Sequence, residues 1–215
     1  MQIPVKICGI TSFRDASIAI DYGVSAVGFI FYKKSKRFIK PDIAVEWIQN
    51  VPKHVKRVGV FVDEEIDVIS KIVDILGLDF IQLHGNESPE YCNLINTPVI
   101  KAFRVSEDFD INILYKYKVS AFLFDNYKKG EIGGTGEAFN WNVISKLKTS
   151  TPIILSGGLS YKNILNAIDK VSPSAIDLNS GVESAPGIKD EEKINKIFQK
   201  LRHTNFSENF FKKNK

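Results

Sequence analysis

Cysteine is nearly missing from this chain, with only Cys8 and Cys92 among 215 residues. Two cysteines cannot build a disulfide framework, and without a CxxC or a Cys/His cluster there is no zinc signature. Such sparse use fits a reducing, cytoplasmic setting. Histidine is as scarce, at three, too few to supply metal ligands from several strands. No run of about 18 apolar residues suggests a membrane span, and the N-terminus lacks a long apolar signal core. Positive charge is thin as well: 29 Lys and Arg stand against 25 Asp and Glu, a formal charge of +4. Apart from Lys33–Arg37 and Lys212-Lys213 the basic residues are scattered, whereas nucleic-acid binding calls for a dense basic face. Neither nucleic acid nor a membrane is therefore an expected partner. Also missing is a GxGxxG after the first strand, the mark of an open dinucleotide-binding sheet.

What the chain does have is a repeat of strand then helix every 20 to 30 residues, the pattern of a parallel sheet. Eight runs rich in Val, Ile and Phe read as strands: 3–7, 26–31, 57–62, 80–83, 99–103, 120–124, 153–155 and 175–178. Helical patterns fill the gaps at 12–22, 41–50, 64–76, 88–95, 107–117, 140–147, 160–169 and 189–201. Ser12, Asp63, Ser88, Ser106 and Ser160 suit helix caps, and Pro41 suits a first turn. An open doubly wound sheet and a closed barrel both satisfy this order. The glycine-rich turns come late, where a barrel keeps its phosphate site. The expected fold is therefore α/β, a single-domain (β/α)8 TIM barrel with a closed, parallel, eight-stranded sheet. The barrel domain covers 1–203, and 204–215 forms a polar C-terminal extension without a catalytic role. Its Phe206, Phe210 and Phe211 are expected on the barrel exterior.

Chemistry concentrates at the carboxyl ends of these strands. Cys8 ends the first, just before a turn at Gly9, where a barrel presents its catalytic groups. A thiol that serves as a base needs a cationic or dipolar neighbour to lower its pKa. Lys6, two residues away on the same strand face, and the helix beginning near Ser12 are the candidates. Cys92 lies inside a helical pattern and reads as a packed, unreactive residue. Asp125 ends the sixth strand after Phe122-Leu123-Phe124, a costly place for a carboxylate unless it faces a ligand. Asp177 near the end of strand eight is similar, and alternation puts Asn179 on its face. Gly133-Gly134-Thr135-Gly136, Ser156-Gly157-Gly158 and Ser180-Gly181-Val182 form three glycine-rich turns. Their amides suit a phosphate, and a short helix starting near 182–185 would aim its positive end there. The long 125–139 connection is placed to close over a ligand. Arg37, with its two-handed fork, is a candidate for an anionic group away from the phosphate. His84 ends strand four and reads as a hydrogen-bonding partner.

In order across about residues 3–200, these blocks resemble the phosphoribosylanthranilate isomerase family. The matching stretches are Lys6–Thr11, Ala26–Phe31, Ser35–Arg37, Val58–Phe61, Gln82–Gly85, Phe124-Asp125, Gly133–Gly136, Leu155–Leu159 and Ser180–Glu183. The resemblance implies a cofactor-free Amadori rearrangement in tryptophan biosynthesis. In it N-(5-phosphoribosyl)anthranilate becomes 1-(2-carboxyphenylamino)-1-deoxyribulose 5-phosphate. It implies that Asp125 is the general acid and Cys8 the general base, and that Arg37 holds the anthranilate carboxylate. Gly134, Gly136, Ser156, Gly157, Gly158, Ser180 and Gly181 would hold the phosphate, with His84 and Asp177 also on the substrate. A phosphorylated small molecule is the expected partner, and the expected assembly is a monomer or homodimer. Asn179 stands where the family often has serine, Asn126 where it often has a small hydroxyl residue or other polar group, and the C-terminal extension is longer than usual. The related histidine-pathway sugar isomerase family fits less well, because an aspartate there takes the place of Cys8. A barrel that only binds a phosphorylated ligand would leave the Cys8/Asp125 pair without a use.

Overall fold

The computed structural model describes residues 2–126, 141–145, 147–202 and 210–213. Eight parallel strands close into a barrel: β1 (Val5–Ile7), β2 (Ala26–Ile30), β3 (Lys56–Phe61), β4 (Phe80–Leu83), β5 (Val99–Val105), β6 (Ala121–Asn126), β7 (Ile153–Leu155) and β8 (Ala175–Leu178). Closure is made by β1 against β8, where Val5, Lys6 and Ile7 face Ile176, Asp177 and Leu178. That ladder is the feature an open sheet would lack. The expected closed barrel is the observed one, and each expected strand lies within two residues of its position at either end.

Between the strands run α1 (Phe13–Asp21), α2 (Pro41–Ile48), α3 (Ile66–Leu76), α4 (Pro89–Asn93), α5 (Asn142–Ser145), α6 (Ile164–Val171) and α7 (Glu191–Leu201). Ser12 and Ser88 cap α1 and α4 by accepting the amides of Asp15 and Tyr91 at 3.2 Å, and Pro41 opens α2. Three expected caps fail for stated reasons. The Asp63 carboxylate accepts the Asn86 amide instead, and α3 starts later, at Ile66. Ser106 sits in a turn because β5 runs on to Val105, and only a 3-10 turn at Ile111–Lys116 follows, capped by Asp110. Ser160 precedes α6, whose N-cap is Asn163.

Two-residue alternation sorts the strand side chains into two layers. Ile7, Val27, Phe29, Ile81, Phe122, Phe124 and Ile176 point outward into the helices; Phe29, for instance, lies 5.7 Å from the Trp47 ring on α2. Ala26, Val58, Phe80, Ile100, Ala102, Ala121, Leu123, Ile154 and Ala175 point inward and form a separate apolar cluster near the amino-terminal end of the barrel. Four of these are alanines, and the space they leave is filled by the C-terminal tail. Its short helix α8 (Phe210–Lys213) sets Phe210 and Phe211 among them, with centroids 5.6 and 5.9 Å from Phe80. Phe210 and Phe211 thus plug the barrel rather than coating its exterior, because the inner alanines leave a hollow that aromatic rings can fill. Phe206 lies outside the described residues. After β8 the expected helix near 182–185 is a 3-10 turn (Ser180–Val182) followed by a small antiparallel pair, β9 (Glu183–Ala185) and β10 (Ile188–Lys189). Among the described residues no helix is long and apolar enough to cross a membrane.

Candidate active site

The inward layer changes character toward the carboxyl ends of the strands. On β1 the alternation that hides Ile7 among the helices turns Lys6, and Cys8 just beyond the strand, inward. Room for both comes from β2: a Cβ at Gly28 would lie 2.9 Å from the Cys8 sulfur and 3.0 Å from the Lys6 ammonium. Any side chain there would displace one of them. Lys6 Nζ donates to Asp177 Oδ1 at 2.9 Å across the β1–β8 seam, and both residues are buried. Burial alone would lower the Lys6 ammonium, but Asp177 and Cys8 outweigh it and hold it above its ordinary value. The expectation that Lys6 pulls the Cys8 thiol below its ordinary value is corrected. Lys6 does act in that direction, yet complete burial of the sulfur is the larger effect and the thiol sits higher than usual. Cys92 is buried in α4, and burial pushes its thiol up to about 11, as suits a packing residue.

Asp125, the last residue but one of β6, points inward, with Oδ1 accepting the Asn126 amide at 2.8 Å. His84 Nε2 stands 3.3 Å from the other oxygen, Oδ2. The ring is oriented from behind, since the Gln82 side-chain amide lies 2.9 Å from Nδ1. With the Gln82 amide donating to Nδ1, a neutral ring carries its hydrogen on Nε2, which lies beside the carboxyl without making a hydrogen bond to it. Arg104 lies opposite Asp125 in the β5–β6 register and donates to the His84 carbonyl at 2.9 Å. Gln82 and His84 share a strand face two residues apart, a signal the sequence held only in part, because Gln82 looked like an ordinary strand residue.

Ser156, Gly157 and Gly158 follow β7, while Ser180 and Gly181 follow β8. Gly157 has φ +82°, and a Cβ there would lie 2.5 Å from the Asn126 amide, so the turn passes tightly beside the acid-bearing strand. A Cβ at Gly181 would lie 1.9 Å from the Leu159 carbonyl, which shows the two glycine turns pressed together. Gly134, Gly136 and the rest of the 127–140 connection lie outside the described residues.

Arg37 reaches the same mouth from the turn after β2. It passes beneath Gly9, whose φ of +73° and missing side chain leave the space; a Cβ there would lie 2.7 Å from Arg37 Cδ. Its Nε and Nη2 donate to both oxygens of Glu183 at 2.7 to 3.0 Å. Lys189 Nζ donates to the same carboxylate at 2.9 Å and to Asn179 Oδ1 at 3.2 Å. Burial would raise the Glu183 carboxyl, but Arg37 and Lys189 outweigh it and hold it below the usual carboxylate range. Neither Glu183 nor Lys189 stands out in the sequence, since the Arg37 partner of Glu183 lies 146 residues away and Lys189 joins the cluster only through Glu183 and Asn179.

One cavity at the barrel mouth is lined by every described residue expected in the site: Cys8, Arg37, His84, Asp125, Ser156, Gly157, Gly158, Asp177, Ser180 and Gly181. Gln82 and Asn179 join them. Ile30, Tyr32, Val60, Val62 and Leu159 supply an apolar wall that sequence reasoning did not assign to the site. Among the described residues no group of three or more His, Cys, Asp or Glu side chains could share a metal ion.

Comparison with known proteins agrees with this geometry. The family model for N-(5'phosphoribosyl)anthranilate (PRA) isomerase matches residues 5–200. An N-(5'-phosphoribosyl)anthranilate isomerase from Geobacter sp. (strain M21) is 47% identical over 193 residues, 90% of this chain and 95% of that protein. The crystal structure of phosphoribosyl anthranilate isomerase from Thermotoga maritima superposes with a TM-score of 0.85 at 38% identity, covering 94% of this chain and all of that one. A second such structure holds reduced 1-(o-carboxyphenylamino)-1-deoxyribulose 5-phosphate, with a TM-score of 0.82, 38% identity, and coverage of 94% and 100%. The chain belongs to the N-(5'-phosphoribosyl)anthranilate isomerase family.

Proposed function

We propose that the mouth cavity carries out the Amadori rearrangement of N-(5-phosphoribosyl)anthranilate, with Asp125 as general acid and Cys8 as general base. Family membership makes the chain an isomerase of tryptophan biosynthesis; the division of labour is our assignment. The observation that carries it is that Cys8 on the β1 side and Asp125 on β6 line one cavity. Asp125 gives its proton to the furanose ring oxygen. The C1′–O bond breaks toward that oxygen, and the anthranilate nitrogen lone pair forms the Schiff base. Cys8 then takes the C2′ proton, leaving an enolamine that tautomerises to the ketone. As the carboxyl loses its proton, the Asn126 amide bonded to Oδ1 stabilises the charge that develops, with the His84 ring 3.3 Å from Oδ2. Lys6 does the same for the thiolate, which forms reluctantly because it is buried.

The phosphate goes to the turns at Ser156–Gly158 and Ser180-Gly181, Arg37 takes the anthranilate carboxylate, and the aromatic ring lies on Ile30, Val60 and Val62. His84 and Asp177 complete the contacts around the ribose. The reaction is followed by the loss of anthranilate-adduct fluorescence. Wild type removes the signal, and C8A or D125A leaves it in place. Turnover unaffected by either change refutes the assignment.

A further inference from the structure

Arg37 is the one group assigned to the substrate carboxylate, yet two of its donor nitrogens are already engaged. Nε and Nη2 are locked on Glu183, and among the described residues nothing takes Nη1. Glu183 is itself pinned. Lys189 donates to Oε1 at 2.9 Å, and the Gly187 amide approaches the same oxygen at 3.2 Å. All three charged side chains are buried. Among these three side chains two cations share one carboxylate, with the buried Asp15 carboxylate close by on the Lys189 backbone amide at 3.2 Å, and Nη1 of Arg37 is left to take a ligand anion. We infer that Glu183 and Lys189 are positioning residues that turn Arg37 into a single-edged receptor for the carboxylate of the substrate's aromatic ring, and so set the enzyme's specificity for an acid at that position. This rests on the assignment of Arg37 above.

The placement of Glu183 strengthens the argument. It directly follows the Ser180–Val182 turn, so one short segment carries both the phosphate turn and the anchor of Arg37. The Lys193 side chain also holds the Glu183 carbonyl, at 2.6 Å. Two ends of a ligand, phosphate and carboxylate, are thereby referred to one rigid stretch of backbone. Asn179, at the start of that stretch, accepts from Lys189 at 3.2 Å. A freely rotating arginine would bind the carboxylate after losing side-chain entropy; a fork fixed beforehand loses little. Neither Glu183 nor Lys189 lines the cavity, so both act through Arg37.

The test uses two ligands: reduced 1-(o-carboxyphenylamino)-1-deoxyribulose 5-phosphate and its counterpart without the ring carboxyl. Affinities are measured by titration calorimetry on wild type, R37M, E183Q and K189M, each checked by its melting curve. Wild type prefers the acid by roughly 10- to 100-fold, the range of a charge-assisted pair. E183Q and K189M shrink that preference, E183Q the more, while affinity for the counterpart without the carboxyl holds. Steady-state kinetics of the two variants show a raised KM with kcat little altered. A preference kept in both variants but lost in R37M overturns the positioning role and leaves Arg37 standing. Equal weakening of both ligands overturns it too, by showing a merely structural part. No preference in wild type overturns the inference together with the Arg37 assignment. Should E183Q fail to melt cooperatively, K189M decides.

Discussion

The two ends of the barrel are built from the same eight strands and have opposite interiors. At the amino-terminal end the inward side chains are Ala26, Val58, Phe80, Ile100, Ala121 and Ala175, sealed by Phe210 and Phe211 from the tail. At the other end, one or two pleats along the same strands, they are Lys6, Gln82, Asp125 and Asp177, with Cys8, His84 and Arg37 at the rim. The apolar end contributes stability in proportion to the surface it hides. The polar end hides charge, which stabilises only when every partner is present. Placing both in one tube lets the apolar end hold the strands in register while the polar end is spent on chemistry.

This contrast predicts that changes at the two ends move different quantities. The largest effect is expected at the mouth. C8A and D125A lower kcat/KM by about 10^3-fold, the usual scale for a lost acid or base, with the melting temperature close to wild type. At the sealed end the signs exchange: F211A costs about 3 kcal/mol or more of unfolding free energy in a denaturant titration, as for other buried aromatics. Turnover per folded molecule stays at the wild-type value.

A smaller effect comes from pH. Because burial raises the Cys8 thiol, the base form is gained only as pH climbs past the ordinary thiol range. The kcat/KM profile therefore rises on the alkaline side. Lys6 opposes that shift, so K6M moves the rising limb to still higher pH. An unmoved limb would show that Lys6 serves Asp177 alone. The mildest prediction is S12A, which removes the α1 cap and costs about 1 kcal/mol of stability with no change in kcat/KM.

The comparison also explains what the sequence revealed. The strands were legible because each is an apolar run bounded by turn residues, and alternation correctly placed Lys6 with Cys8 and Asp177 with Asn179 on shared inner faces. Asp125 stood out because a carboxylate after Phe122-Leu123-Phe124 has no cheap explanation in a core. The errors share one cause, which is that distant partners override local pattern. Asp63 has the chemistry of a cap, but the Asn86 amide competes for it. Residues 183–185 pair with 188–189 instead of coiling, as Glu183 is drawn to Arg37 and Lys189. Phe210 and Phe211 look like ornaments on a polar tail until four inner alanines are seen to leave room for them. The Cys8 shift was misjudged because a neighbouring cation can be read from sequence, whereas complete burial cannot.

The assignment of acid and base is tested most directly by the isotope effect on the single-turnover rate constant with substrate deuterated at C2′, compared among wild type, C8S and D125N. The effect should grow in C8S, where proton removal from C2′ becomes the slow step. It should fade in D125N, where ring opening does. The opposite pattern, or an effect equal in all three, would contradict the roles given to Cys8 and Asp125.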